Sequence, residues 1–319
     1  MFEFISGGGF NQQTLPESLA KEGSLMLQAV LDDFAKLPQI AVTVMLDWRF
    51  VDRINSHYAT TDIIKPEQDY QQRFLQLAQQ ADAIWPIAPE SDGILQQLCQ
   101  TVTDLGKILL TSNAAAVALA GNKYLSYQRL CQHKIATVNT QLLNTFRFTP
   151  GEWLVKPIDG VGCQDSYIIN TETDLAKLAG QPENYLIQPH IQGQKTSLSC
   201  LCKQGRAWLL SVNNQHFAIE NQQYQLISIT VNQSSQHSRY QPLCQAVAVA
   251  MPDLWGYVGI DLIETEDEIL VLEINPRLTT SFTGINRALG INVAEQVLRL
   301  LHDQPQLQAT QNLKVTISL

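Results

Sequence analysis

Residues 257–284 read YVGIDLIETEDEILVLEINPRLTTSFTG, two apolar runs either side of an acidic turn. The runs at 257–263 and 269–274 are rich in Ile, Val and Leu, which predicts a β-hairpin. Strand side chains alternate faces, so Glu273 and Asn275 share one face. With an odd number of loop residues, for example 266–268, Asp261 falls directly opposite Glu273. Two facing carboxylates repel, and a cation between them removes that penalty. Asp, Glu and Asn oxygens with no Cys or His suit a hard ion such as Mg2+, which completes its shell with water and phosphates. Pro276 ends the strand, and Arg277 follows at the rim, placed to meet negative charge. A surface hairpin with solvated acids is the plainer alternative. Asp261 and Glu273 interrupt the apolar runs instead of capping them, which counts against it.

The bounds agree with a ligand-binding globular protein. A length of 319 residues allows roughly two domains. Apolar content of 45% and charged content of 16% suit a chain that buries a sizeable core. The net charge of −9 argues against a nucleic-acid partner, which needs a basic stripe. It leaves room for an anionic ligand held by a local cluster of Lys and Arg. The start, MFEFISGGGF, lacks a basic region followed by a long apolar one, so no signal peptide is expected. No apolar run approaches the ~20 residues of a membrane helix. The cysteines at 99, 131, 163, 200, 202 and 244 show no zinc spacing, so reduced structural thiols in a cytoplasmic protein are expected.

Residues 1–113 alternate strand and helix. Strands are predicted at 2–5, 40–46, 83–87 and 107–110, and helices at 19–34, 68–80 and 94–105. This rhythm implies a small parallel sheet, an α/β arrangement. The glycines after the first strand, Gly8 among them, let a backbone turn tightly or approach a ligand. Arg49 stands just past the second strand, where open α/β sheets bind ligands. Glu90 and Asp92 either face a substrate or cap the next helix.

Lys123 opens a predicted helix, and the strand at 153–156 ends in Lys156. A glycine-spaced loop follows at 158–165. Such a loop between antiparallel strands folds over phosphates through its N–H groups, with Gly160 and Gly162 the candidates. Further strands are expected at 166–170, 185–188, 197–202, 207–211 and 222–229. The polar run 232–241 reads as a mobile loop and a candidate lid. Helices are expected at 243–251 and 284–300, and an edge strand at 312–318.

The order Lys123, Lys156-Pro157 with a glycine loop, Gln188 with Gly193, Asp261, then Glu273-x-Asn275-Pro276-Arg277 resembles the ATP-grasp superfamily of carboxylate–amine ligases. The resemblance covers about residues 115–300. The stretches FISGGGF at 4–10, AKEGSLM at 20–26, WPIAPE at 85–90 and NPRLTTS at 275–281 look like the tyramine–L-glutamate ligase family. That family serves methanofuran synthesis in archaea, and related sequences serve the methylofuran of methylotrophic bacteria.

The resemblance implies a mixed α/β (α+β) ATP-grasp fold. A pre-ATP-grasp domain at 1–113 would precede a central subdomain at 114–190 and a C-terminal subdomain at 191–319 that together clasp ATP. Lys123 and Lys156 would hold the nucleotide phosphates as point charges, with residues 160–165 closing over them. Gln188 and Ile191 would offer a backbone carbonyl and an N–H to adenine. Asp261, Glu273 and Asn275 would hold Mg2+, or Mn2+ in its place. Arg277, with Lys156, would stabilise the transferring phosphoryl group. Two positions depart from the pattern: Lys195 stands where a ribose-binding glutamate is common, and Asn122 where an aspartate is usual.

The implied reaction phosphorylates a carboxylate with ATP, and an amine then displaces phosphate while water is excluded. The implied acid is the side-chain carboxyl of glutamate, and the implied amine is tyramine or tyrosine. Gly8, Glu90 and Arg49 are candidate substrate contacts. Arg53 and Arg287 are further anchors for the acid, and Trp48 and Trp85 candidate platforms for the ring. A homodimer is among the assemblies this allows. An ATP-grasp ligase with another amino acid or peptide acceptor, and a non-catalytic nucleotide-binding protein, are the alternatives.

Overall fold

The computed structural model describes residues 1–160, 162, 165–177 and 182–319. Residues 161, 163 and 164 of the expected phosphate loop, Cys163 included, lie outside the described residues.

The N-terminal region is built on β1 (Phe2–Glu3), α1 (Glu17–Phe34), β2 (Val42–Asp47), β3 (Ala59–Ile64), α2 (Tyr70–Gln80), β4 (Ala83–Ile84), β5 (Pro86–Ile87), α3 (Ile94–Asp104) and β6 (Ile108–Leu109). The strands pair in parallel as β1 with β5, β2 with β3, and β4 with β6. Parallel neighbours need crossovers; helices supply them for β1 with β5 and for β4 with β6, and residues 48–58 with one short helical turn at Trp48–Phe50 for β2 with β3. Leu27, Val30, Leu31 and Phe34 of α1 are buried, the apolar stripe its periodicity predicts. Three local expectations are corrected. The segment expected as a loop after β1 is a helical turn, Ile5–Gly9, closed by Gly8 at φ 110°. Asp92 does not cap α3. Gly93 holds that position, and the Asp92 N–H donates to the Asp159 carboxylate at 3.1 Å. Strand β3 was not anticipated, because Thr60, Thr61 and Asp62 are polar at a sheet edge.

Helices α4 (Ala114–Gly121) and α5 (Lys123–Gln132) lead into the second region. Asn122 caps α5, its side-chain oxygen accepting from the N–H groups of Tyr124 and Leu125. Asn caps as well as Asp, which explains its presence. There follow β7 (Gln141–Leu142), β8 (Trp153–Pro157), β9 (Tyr167–Ile169), α6 (Glu172–Lys177) and β10 (Tyr185–Pro189). The strands form an antiparallel sheet in the order β7-β10-β8-β9.

The largest sheet has six strands. It uses β11 (Gln194–Lys203), β12 (Arg206–Glu220), β13 (Gln223–Ser234), β14 (Gly256–Glu264), β15 (Ile269–Asn275) and β16 (Val315–Ser318), in the order β15-β14-β11-β12-β13-β16. One face packs on α7 (His237–Ala250), where Cys244 and Val247 meet Leu198, Cys200, Val258 and Ile260. The expected lid at 232–241 is therefore ordered structure: β13 continues to Ser234 and α7 begins at His237. One of its polar side chains is tied to backbone. Gln241 accepts from the Leu209 N–H and donates to the Ala207 carbonyl. The single helix expected at 284–300 is two, α8 (Phe282–Leu289) and α9 (Val293–Arg299), parted by Gly290 at φ 70°.

Helix α1 joins the N-terminal region to α8 and α9 through one apolar core that includes Val30, Phe34, Trp85, Phe282, Ile285 and Val297. Asp33 sits in this seam, 2% exposed. Its carboxylate accepts from the Val293 and Ala294 N–H groups at the start of α9 and from the Asn286 amide. Burial outweighs these bonds and raises its pKa from 3.8 to about 6. The folded protein thus holds the Asp33 proton more tightly than the unfolded chain does. The stability it contributes is full below the unfolded pKa and is lost as pH rises through the folded one. Denaturant unfolding of wild type against Asp33→Asn should show a wild-type decline of roughly 3 kcal/mol across that interval which the variant lacks.

Candidate functional site

A cavity opens between the four-stranded and six-stranded sheets. Lys123, Lys156, Gly160, Gly162, Gln188, Ile191, Asp261, Glu273, Asn275 and Arg277 all line it. The chain reaches this convergence from four directions.

The hairpin supplies the floor. Its turn leaves four residues between the paired Glu264 and Ile269, not an odd number. That register alone would set Asp261 opposite Leu272. A bulge between Asp261 and Leu262 shifts the ladder by one residue and brings Asp261 opposite Glu273 after all. Asp261 accepts from the side-chain amides of Gln215 and Asn275, each at 3.0 Å. Burial first, and then the facing Glu273, push its pKa up to about 7.

Glu273 behaves oppositely. Burial would raise its pKa too, but the charges of Lys123, Lys156 and Arg277 overcome this and hold it below the usual carboxylate range. Lys123 Nζ lies 3.0 Å from the Glu273 carboxylate and also donates to the Gly160 carbonyl. The Asn122 cap fixes this lysine at the first position of α5, and its own N–H bonds the Ile158 carbonyl at 2.9 Å. Lys156 comes from the end of β8 and is buried.

Arg277 lies on the loop after β15. Its Nε donates to Glu90 at 2.8 Å and one terminal nitrogen to the Leu278 carbonyl. Burial opposes its charge, but Glu90, Glu273 and Glu22 raise its pKa. The second oxygen of Glu90, though buried, meets no hydrogen-bond partner among the described residues. The loop itself is pinned from both sides. The Thr111 hydroxyl bonds the Pro276 carbonyl, Tyr257 meets Thr279 at 3.1 Å, and Ser197 meets Ser281 at 3.4 Å. Gly259 lies beneath it, where a Cβ would stand 2.6 Å from Thr279 Cγ2.

The far end of the cavity is apolar, with Val138, Leu154, Ile191, Ile263 and Leu272. Gln188 borders it from β10. Its amide donates to Thr140 at 2.7 Å. Lys195 also lines the cavity. Its ammonium bonds the Ile191 carbonyl at 3.2 Å and lies over the Tyr224 ring.

Other sequence candidates lie elsewhere. Gly8 is buried against Ile64, away from the lining. Arg49 is occupied by the Asp47 carboxylate and the carbonyls of Phe10 and Gln13. Arg53 lies over the Phe50 ring. Trp85 is core, edge-on to Phe34 and Phe282, and half-exposed Trp48 is not at the cavity. Arg287 borders a separate crevice between α1 and α8. Glu90 is not itself part of the lining but stands behind Arg277. The lining residues that sequence reasoning missed include Glu22, Gln215, Thr280 and Ser281.

This donor set fits a divalent ion. Among the described residues no group of three or more His, Cys, Asp or Glu forms a closed cage. Two facing carboxylates and an amide remain, beside cations able to hold phosphate. Mg2+ takes one or two carboxylates plus phosphate in this way. Asp261 meets only neutral amides, so its charge has no cationic partner as close as the one Lys123 gives Glu273.

Residues 120–281 match the family described as ATP-grasp domain, and residues 40–117 that described as pre ATP-grasp 3 domain. Two tyramine–L-glutamate ligases are similar to the chain. That of Methanocaldococcus jannaschii is 27% identical over 89% of this chain and 83% of its own. That of Methanocaldococcus fervens is 26% identical over 89% and 88%. A solved structure from Archaeoglobus fulgidus, assigned to the ATP-grasp superfamily, shares the fold with a TM-score of 0.75 at 23% identity, covering 99% of this chain and 90% of that one. A biotin carboxylase domain from Hydrogenobacter thermophilus, solved with MgADP, gives 0.72 at 15% identity over 88% and 69%.

The tight seat of the loop on β14 is testable. Gly259→Ala should cost about 1–3 kcal/mol, as overpacking does. Gly259→Ala with Thr279→Ser, which removes the clashing methyl and keeps the hydroxyl, should recover most of it in the same denaturation assay.

Proposed function

The chain belongs to the ATP-grasp family of carboxylate–amine ligases, and from that premise we propose that it joins the side-chain carboxylate of glutamate to the amine of tyramine or tyrosine. The reading rests on the two ligases so named, each similar over most of the chain. It extends to a role in making a methanofuran- or methylofuran-type cofactor. The single observation that supports it best is the meeting of Lys123, Lys156, Asp261, Glu273, Asn275 and Arg277 in one cavity.

The family uses ATP with a divalent metal. In this chain Lys123 and Lys156 hold the phosphates, and the apolar end takes the adenine beside Gln188 and Ile191. Asp261, Glu273 and Asn275 hold Mg2+, which when bound neutralises charge on the phosphates. The glutamate carboxylate attacks the γ-phosphorus, the bond to ADP breaks, and an acyl phosphate results. The amine then forms the C–N bond as phosphate leaves. Arg277, kept in place by Glu90, lies where charge builds on the transferring group, and such fixed cations act without reorganisation. Walls formed by both sheets and the 276–281 loop keep water from the acyl phosphate.

ADP release should require ATP, Mg2+ and glutamate and should rise when tyramine or tyrosine is added. Release indifferent to the aromatic amine would rule out the acceptor. Glu273→Gln should lower turnover by roughly 100-fold, the scale for loss of one fixed electrostatic group; full turnover would remove the metal assignment.

A further inference from the structure

Among the described residues three carboxyl groups line the cavity: Asp261, Glu273 and Glu22. The first two face one another on the hairpin. Glu22 comes from α1 and is the one lining side chain drawn from the N-terminal region among the described residues. We propose that Glu22 receives the ammonium group of the acceptor amine and holds its nitrogen beside Arg277, where the acyl phosphate forms. This rests on the ligase reading.

Glu22 is held where it stands. Its neighbour Gly23 lets α1 press against β1 and the turn after it: a Cβ there would meet the Glu3 carboxylate at 2.7 Å and Ile5 Cβ at 3.0 Å. The far end of α1 is latched by Asp33 to α9 and by Lys36 to Asn286 at 2.9 Å. The Thr280 hydroxyl, also in the lining, donates to the Glu22 carboxylate at 3.3 Å.

The local charge calls for a cation. Arg277 is already paired with Glu90 and also feels Glu273 and Glu22. Glu22 thus shares Arg277 with two other carboxylates, and its own charge on this half-buried wall is only partly compensated. An alkyl ammonium neutralises it, whereas a carboxylate or phosphate is repelled. The acid substrate also carries an ammonium, but that group need not lose a proton, and the attacking amine must. Burial raises the proton affinity of Glu22, and Thr280 and Arg277 offset this only in part. Such a carboxylate suits an amine that has to be deprotonated. The ammonium gives one proton to Glu22, and the freed lone pair attacks the acyl carbon. The C–N bond forms and the C–O bond to phosphate breaks. The second nitrogen proton leaves with the phosphate, and Glu22 returns its proton to solvent.

Steady-state kinetics on Glu22→Gln test this, with hydroxylamine as a second nucleophile. Hydroxylamine is largely uncharged at neutral pH and needs no ammonium anchor. The variant should raise KM for tyramine by roughly 30-fold or more, the loss when one partner of a buried charge pair is removed. KM for ATP and for glutamate should stay at wild-type values. Hydroxamate formed from ATP, glutamate and hydroxylamine should match wild type. An unchanged tyramine KM overturns the assignment. So does a rise in glutamate KM instead, or a parallel loss of hydroxamate, which would mark a structural role. Hydroxamate formation by wild type tests the ligase reading separately.

Discussion

Asp261 and Glu273 face each other across one rung of a β-hairpin, and neither is stable as an anion beside the other without positive charge nearby. The fold supplies that charge from three places. Lys123 comes from a helix start, Lys156 from a strand end and Arg277 from the loop that follows Glu273. Together they hold Glu273 ionised, while Asp261, set against two amides, keeps a high proton affinity. The floor of the cavity is thus one carboxylate paired with a lysine and one held only by neutral amides. That imbalance is the physical basis for placing a metal–phosphate complex there.

The N-terminal region braces this site most directly along the 276–281 loop. Its residues Glu90, Thr111 and Glu22 all touch the 276–281 loop, and Gly259, Tyr257 and Ser197 support the loop from below. Arg277 is therefore a clamped side chain, and its aim depends on α1 staying seated on α8 and α9. Preorganisation of this kind separates a cation that stabilises developing charge from one that merely sits near it.

Much of this was legible in the chain, and what was not has physical causes. The hairpin, its acids and Arg277 stood out because charge interrupts apolar alternation, which surface acids rarely do. The facing of Asp261 and Glu273 was expected from an odd loop. It arises instead from a four-residue turn and a bulge, a register shift with no signature in alternation. The run 232–241 misled because a glutamine that bonds backbone, as Gln241 does, looks in sequence like one in solvent. Arg49 misled because its nearest carboxylate, Asp47, is two residues away and claims it. Glu22 lay inside the resembling stretch at 20–26, but as one acid among several on α1 it carried no role of its own. The available signal was Gly23 beside it, since glycine in a helix interior costs about 1 kcal/mol and marks close approach.

The most direct measurement is a crystal structure with a non-hydrolysable ATP analogue and Mn2+, located by its anomalous scattering. The account predicts a metal peak bounded by the oxygens of Asp261, Glu273 and Asn275, with the phosphates against Lys123 and Lys156. A peak elsewhere, or a nucleotide bound away from those carboxylates, would contradict it.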